Sequence, residues 1–306
     1  MTGQKMHEWK GYGWALAGTV AFSSLYVFSK AGLNQVHLAQ FGLYYFGIGF
    51  LLNLLLIFVS GKTSQVFSLP AKIIRLLVML AVIDLASNIT FFMAIHAIAD
   101  PSVTSFLGNL FPVFLASLSI VFLKERFTLL EGFGALLAIS GAFVISFSGD
   151  PDWRKFFIPG TGLVVMNTLL AAIFSMIVKK NIQKVSPEIF NLNSNGWIFL
   201  SFLVYFIWSD KPLAIPESAF LNILASAFFG AFFALLSFYY SYKYIPASRS
   251  SIVQSLKGVF VLIIAFFYFG SFPVALQLLG GAITVAGVLI MTLSQAGIIR
   301  IGKAKG

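Results

Sequence analysis

The sequence contains no cysteine, and only 10% of its 306 residues are charged. The missing thiols exclude disulfides, thiolate metal sites, iron–sulfur clusters and cysteine nucleophiles. Soluble domains carry about 25% charged residues, so this chain has too little charge to cover a globular surface in water. The three histidines, His7, His37 and His96, lack metal-ligand spacing. We therefore expect neither a soluble enzyme nor a bound metal or other cofactor.

Apolar sequence is abundant: 59% of the residues are hydrophobic, and the mean hydropathy is +0.93. A helix of about 20 apolar residues crosses the hydrocarbon core of a bilayer. Runs of this length predict an all-α integral membrane protein with ten transmembrane helices. The first run is longer than the apolar part of a typical signal peptide, which disfavours its cleavage. The predicted spans are residues 12–32, 38–59, 74–98, 102–123, 129–148, 160–182, 188–208, 219–244, 249–269 and 273–297.

The basic residues that give the net charge of +10 are distributed among the predicted loops rather than gathered on one surface. Lys and Arg are enriched in the cytoplasmic loops of membrane proteins. With the N-terminus inside, 15 basic residues fall in cytoplasmic segments, 4 fall in outer segments, and Lys257 lies within a span. This asymmetry predicts a multi-pass protein with both termini in the cytoplasm. Because the basic residues form no continuous face, no nucleic-acid partner is expected.

The chain repeats itself at a spacing of nearly half its length. A shift of 149 residues aligns the first two spans with the sixth and seventh, and matches Lys30 with Lys179. A shift of 146 residues aligns the fourth and fifth spans with the ninth and tenth. We therefore predict two five-helix units, residues 1–150 and 151–306. Because five is an odd number, the second unit is inverted in the membrane.

Four glycines take part in this repeat. Gly134 and Gly141 in the fifth span align with Gly280 and Gly287 in the tenth. Each pair is seven residues apart, so both glycines of a pair lie on one helix face. Small residues on one face permit close packing of helices in lipid. Close packing is the expected role, and a role in gating is the alternative.

The segment 112–145 contains, in order, a proline-bearing helix, a short basic and acidic turn at 124–128, and a helix with two glycines. Together with the five-plus-five duplication, this order resembles the drug/metabolite transporter superfamily, in its bacterial EamA-type branch. The second half departs from the pattern, because Gly258 replaces the proline and residues 270–273 lack the charged turn.

The resemblance implies several further properties. A central cavity would be lined by the first, third and fourth spans and by their counterparts, the sixth, eighth and ninth. Members of the group export amino acids, including aromatic ones, other metabolites or drugs. The implied location is the bacterial inner membrane.

Two charged residues lie near the middle of predicted spans, where an ionised side chain costs at least about 2.5 kcal/mol. Asp84 is in the third span with Asn88 one turn later, and Lys257 is in the ninth with Gln254 three residues earlier. We hypothesise that Lys257 binds an anionic group such as a carboxylate. Asp84 with Asn88 then binds an amine, or Asp84 carries a coupling proton. An ion pair between Asp84 and Lys257 that only joins the two halves is the alternative.

Asn109, Asn167 and Tyr239 are further substrate-binding candidates, because they lie on spans that are expected to line the cavity. For the asparagines, a structural hydrogen bond is the alternative. For Tyr239 the alternative is an aromatic belt at the membrane surface. The seventh span begins with asparagines at 191, 193 and 195. Alternate residues do not share one helix face, so this triplet predicts an entry into the membrane at its surface.

The expected function is a secondary transporter that moves a small polar metabolite, an amino acid or a related compound, by alternating access, with efflux as the expected direction. No Gly-rich nucleotide-binding loop is present, so direct use of ATP is not expected. A membrane-embedded enzyme acting on a lipid or an amphiphile is the alternative, but one Asp and one Lys make a poor catalytic set. An ion channel would need rings of like residues around a pore, and a two-fold inverted repeat in one chain does not supply them. The expected partners are a small solute and membrane lipid, and the sequence leaves the oligomeric state open.

Overall fold

The computed structural model describes residues 3–123, 128–147, 157–270, 272–295 and 298–299. The charged turn at 124–127, residue 271 and the basic residues at 154, 155, 300, 303 and 305 lie outside this part. The described residues form the helices α1 (Gly3–Leu33), α2 (Leu38–Val59), α3 (Thr63–Phe67), α4 (Ala71–Ala97), α5 (Pro101–Leu107), α6 (Phe111–Leu123), α7 (Leu129–Ser146), α8 (Thr161–Asn181), α9 (Pro187–Trp208), α10 (Glu217–Ser226), α11 (Leu235–Tyr244), α12 (Ala247–Gln254), α13 (Lys257–Phe269) and α14 (Ala275–Gln295). A 3-10 turn, Gly108–Leu110, joins α5 to α6, and a π-helical segment, Ala227–Ala234, joins α10 to α11.

The described part of the chain is helical and contains no β-strand beyond an isolated bridge between Phe147 and Phe157. Eight of its helical segments are long and apolar enough to cross a membrane. Helices also lie at the two remaining predicted spans. One of them, α9, carries three asparagines that lower its hydropathy, and the other is interrupted between α5 and α6. The chain is therefore a multi-pass, all-helical membrane protein by length and composition, and the count of ten spans stays a prediction.

Two helices are interrupted at corresponding positions of the repeat. Residues 108–110 separate α5 from α6, and residues 255–256 separate α12 from α13. The shift of 146 places the first interruption on residues 254–256, almost on the second. An interruption leaves backbone groups without their helical partners, which is tolerated inside a membrane protein only where the protein or a water-filled cavity surrounds them. Both interruptions must therefore face the interior of the bundle.

The helices of the two halves are interleaved. Helix α2 packs on α9, α4 packs on α8, and α1 packs on α11. Under the repeat, α1 corresponds to α8, and the span of α4 corresponds to the span of α11. The contact of α1 with α11 and the contact of α8 with α4 are therefore equivalent. This equivalence is expected for two units that are related by an internal symmetry axis.

Helices α7 and α14 pack backbone against backbone. A Cβ placed on Gly134 would lie 2.7 Å from the carbonyl oxygen of Gly287, and one placed on Gly141 would lie 2.7 Å from that of Gly280. Cβ atoms in proteins do not approach backbone atoms this closely. The predicted close packing of the two glycine pairs is confirmed.

Lys30 and Lys179, which the repeat aligns, bind helix ends in the same way. At the end of α1, Lys30 donates to two carbonyl oxygens at the C-terminal end of α4, at 2.9 and 2.8 Å. At the end of α8, Lys179 donates to two carbonyl oxygens at the C-terminal end of α11, at 2.6 and 3.2 Å. The last carbonyls of a helix lack partners within the helix and carry partial negative charge. Each lysine therefore joins two helices of its own half.

We expect Lys30→Met to lower the free energy of unfolding by about 1 to 3 kcal/mol, because it leaves buried carbonyl groups without a donor. The midpoint of thermal unfolding in detergent measures this change. Lys10→Met, at an exposed position of the same helix, is the matched control and should leave the midpoint unchanged. Equal midpoints for Lys30→Met and the wild type would contradict the stabilising role.

Candidate functional site

A cavity of about 140 Å³ is lined by residues of both halves. Its walls come from α1, α4, the interruption between α5 and α6, α8, α11 and the ends of α12 and α13 that meet at the second interruption. These elements occupy the six spans that the resemblance implied. Helix α2 adds Tyr45, and the π-helical segment adds Gly230. Much of the wall is apolar or aromatic, with a few polar groups among the rings, which is typical of a small-molecule site.

Most of the predicted substrate-binding residues line this cavity, namely Asp84, Asn88, Asn167, Tyr239, Gln254 and Lys257. Asn109 does not line it. Its side chain is 1% exposed, and its amide oxygen and nitrogen have no hydrogen-bond partner among the described residues. The neighbouring Gly108 faces the cavity instead. Successive residues of a helix point about 100 to 120° apart, so the position that follows Gly108 is turned away from the cavity.

Lys257 is the first residue of α13, directly after the second interruption. Its Nζ donates to the carbonyl oxygen of Gly108, 3.0 Å away in the interruption of the other half. An ammonium group has three N–H donors, and this is the one hydrogen bond that the Lys257 ammonium group makes within the described part of the chain. Donors therefore remain for a ligand. Among the described residues that line the cavity, Lys257 is the sole cation.

Asp84 joins α4 to the second half of the chain. One carboxylate oxygen accepts a hydrogen bond from Asn88 at 2.9 Å, and the other accepts one from Ser194 on α9. No ion pair links Asp84 to Lys257 among the described residues. The two charges border the same cavity without neutralising each other. Because a carboxylate accepts about four hydrogen bonds, Asp84 can accept further donors from a ligand.

Two more of the predicted residues on the wall, Asn167 and Gln254, have protein partners. Asn167 donates to the backbone oxygen and to the hydroxyl of Ser87, at 2.9 and 3.0 Å, which joins α8 to α4. Gln254 donates to the hydroxyl of Ser250 at 3.1 Å. These side chains are held in place by neighbours, so they shape the wall of the cavity.

Three tyrosine hydroxyls on the cavity wall make no hydrogen bond with the described residues, and one of them, that of Tyr239, is a fully buried oxygen without a partner. They belong to Tyr26, Tyr45 and Tyr239, whose side chains are each 3% exposed. Buried tyrosine hydroxyls usually have a partner, so these three are available to a ligand. Sequence reasoning missed Tyr26 and Tyr45. Their depth was the signal, because tyrosine is typical of the membrane surface and both residues lie well inside their spans.

Two of the three asparagines at the start of the seventh span are buried in the bundle, and the predicted entry at the membrane surface stays a prediction. Asn191 and Asn195 are 0% and 1% exposed, and they donate to backbone oxygens of the π-helical segment at 3.1 and 3.0 Å. Residues four apart share a helix face, so Asn191 and Asn195 point toward the same neighbour. The two amides hold the π-helical segment beside the cavity. There Gly230 occupies the position that the repeat aligns with Asp84.

A bundle of membrane-crossing helices in which two interrupted helices meet at an internal cavity is the architecture of a membrane transporter. The chain belongs to the EamA-like transporter family, whose profile matches residues 9–147 and again residues 158–293. The resemblance to this family is confirmed, and the family domain occurs twice.

Curated relatives are also described as transporters. An "uncharacterized transporter" of Archaeoglobus fulgidus is 29% identical over 204 residues, which cover 65% of each chain. A "probable terminal-alkyne amino-acid exporter" of Streptantibioticus cattleyicolor is 25% identical over 186 residues, 59% of this chain and 60% of that one. The match thus spans less than two thirds of the length of these relatives. Family and relatives point to a transporter rather than an enzyme.

The fold is also found among solved structures. One crystal structure superposes with a TM-score of 0.66 over 92% of this chain and 98% of its own, at 14% sequence identity. A likeness at this identity concerns the fold alone.

Proposed function

We propose that the protein is a secondary transporter for a small metabolite that carries both an amine and a carboxylate, such as an amino acid. The solute would pass through the central cavity by alternating access. Ten spans in two inverted units, residues 1–150 and 151–306, would supply the halves that move against each other around a fixed site. Family membership defines a transporter without defining the solute, so the solute is argued from the cavity.

The observation that carries this proposal is that Asp84 and Lys257 line one cavity from opposite halves without pairing. A charge inside a membrane protein is costly unless it meets a counter-charge. A solute with one positive and one negative group offsets both costs at once. The relative described as an amino-acid exporter supports this class of solute.

Export across a bacterial inner membrane, with both termini in the cytoplasm, is the proposed arrangement. The 15 basic residues on the proposed cytoplasmic side against 4 outside support this orientation. The direction rests on the description of the relative as an exporter. Asp84 would either bind the amine or carry a coupling proton. Solute and lipid are the proposed partners, with no nucleic acid and no resident cofactor.

Counterflow in liposomes tests the proposed function. Vesicles that contain the purified protein and are loaded with an unlabelled amino acid should take up the labelled compound transiently and saturably, for at least one member of an amino-acid panel. Chemical turnover of a solute without its movement across the bilayer would favour a membrane enzyme. Absence of counterflow with every amino acid would contradict the proposed solute class.

We expect Asp84→Asn to lower counterflow about tenfold or more, because it removes the charge that meets the amine while it keeps the size of the side chain. Asp210→Asn is the matched control. Asp210 is exposed and has a φ of 49°, which asparagine tolerates, so this variant should transport at the wild-type rate. The amount of protein in the vesicles is measured for each variant. Wild-type counterflow by Asp84→Asn would show that Asp84 does not bind the amine.

A further inference from the structure

We propose that the Tyr26 hydroxyl and the Lys257 ammonium group together bind one carboxylate of the transported solute, in the space that Gly108 leaves free of a side chain. This inference rests on the proposed function and specifies how the same cavity recognises the anionic end of the solute. It assigns to Tyr26 a role in specificity and to Gly108 a role in leaving room for the solute.

The two donors converge on one side of Gly108. A Cβ placed on Gly108 would lie 3.1 Å from Tyr26 Oη and 3.2 Å from Lys257 Nζ. Charged hydrogen bonds of this kind span about 2.5 to 2.9 Å, so two donors this close to one point can each reach an oxygen of the same carboxylate. Gly108 belongs to the first interruption and lines the cavity. Any larger residue there would occupy the space in front of both donors.

Both donors have capacity for a ligand. Lys257 uses one N–H on the backbone oxygen of Gly108, at 3.0 Å, and an ammonium group carries three. The Tyr26 hydroxyl has no partner in the described part of the chain, although the residue is 3% exposed. The Tyr26 ring is held edge-on by Phe22 and Phe91, with ring centroids 5.7 and 5.0 Å apart. The unsatisfied hydroxyl is therefore fixed in place rather than free to turn away.

The charges around the cavity select a single negative charge. Lys257 is the sole cation among the described lining residues, and Asp84 lines the same cavity. One carboxylate neutralises Lys257, whereas a dianion such as a phosphate monoester would keep an unpaired charge, which is costly in a buried site.

Binding of matched solutes to the detergent-purified full chain tests the inference. The probes are a panel of L-amino acids, the primary amide of each, which lacks the carboxylate, and the corresponding acid without its amine. We expect the wild type to bind at least one amino acid, and to bind its amide about ten- to a hundredfold more weakly. Tyr26→Phe should weaken amino-acid binding by about tenfold or more and leave amide binding unchanged. Its unfolding midpoint should not fall, because the deleted hydroxyl has no partner.

Gly108→Ala is a second, independent variant, because its methyl group enters the space between the two donors. It should also weaken amino-acid binding more than amide binding. Gly162→Ala is the matched control: it is another helical glycine, but a Cβ placed there meets no atom within 4 Å. This control should bind amino acids like the wild type.

The possible results separate the two proposals. Wild-type amino-acid affinity in Tyr26→Phe would overturn the inference and leave the proposed function intact. Equal affinity of the wild type for an amino acid and its amide would overturn the inference and also the proposed pairing of Lys257 with a carboxylate. Loss of amide and amino-acid binding to the same extent in both variants would also overturn it, since that pattern reports a general distortion. A wild type that binds no amino acid would overturn both proposals.

Discussion

Substitution of Lys257 by alanine is expected to reduce transport at least about a hundredfold, because it leaves the buried carboxylate of the solute without its counter-charge. The structure gives this variant a second expected property. The Lys257 ammonium group makes one hydrogen bond, to the Gly108 carbonyl oxygen, within the described part of the chain, and a cation in a membrane bundle is costly. The unfolding midpoint of Lys257→Ala in detergent should therefore equal or exceed that of the wild type.

The pairing of lost transport with retained stability distinguishes a binding role from a structural one. Lys72→Ala is the matched control, because Lys72 is an exposed lysine at the start of α4, and it should transport normally. Counterflow and the unfolding midpoint are measured on the same preparations. A lower midpoint together with wild-type counterflow for Lys257→Ala would show that the lysine only connects the two interrupted helices.

Gly134→Ala is expected to destabilise the protein by about 1 to 3 kcal/mol, although it adds a single methyl group. The added Cβ would lie 2.6 Å from the backbone nitrogen of Met291 and 2.7 Å from the carbonyl oxygen of Gly287. These are backbone atoms of α14, which cannot move aside as the end of a flexible side chain can. The helices α7 and α14 would have to separate along their length. The unfolding midpoint in detergent measures the effect.

Gly132→Ala in the same helix is the control, with an expected change of opposite sign. A Cβ placed on Gly132 meets no atom within 4 Å, and alanine favours a helix over glycine by up to about 1 kcal/mol. The midpoint should therefore stay equal or rise. Parallel losses in Gly132→Ala and Gly134→Ala would mean that glycine is needed for helix flexibility rather than for close packing.

The positions of the helices could be predicted because they depend on local sequence. The predicted span 38–59 coincides with α2, Leu38–Val59. Its start is marked by His37, which accepts a hydrogen bond from the backbone while Gln40 caps in return. An apolar run must be long enough to cross the bilayer, and its ends must satisfy their own backbone groups. Both requirements are met by neighbours in sequence. The interruptions of two spans and the π-helical segment were not predicted, because their stability depends on contacts from other helices.

The candidate site was predicted in part. Asp84 and Lys257 were visible because a charge inside an apolar run has no local explanation, and both line the cavity. Tyr26 was missed although its depth within the span was a signal, and Gly108 gave no signal, because glycine is common in membrane helices. Asn109 has a polar side chain suited to the site, but its neighbour Gly108 lines the cavity instead. The type of residue indicates which side chains need a partner, whereas the position of each residue around the helix axis decides which of them face the cavity.

By itself, the sequence determined that this chain is a membrane protein, that its charges lie mainly in loops, and that it contains two related halves. These properties follow from hydropathy and from repeated local patterns, which act along the chain. The tertiary structure alone decided that two interrupted helices meet, that Lys257 of one reaches Gly108 of the other, and that Tyr26 points to the same place. Such contacts join residues far apart in sequence. Their geometry depends on how close the glycine-lined helices approach and on which helix faces the packing turns inward.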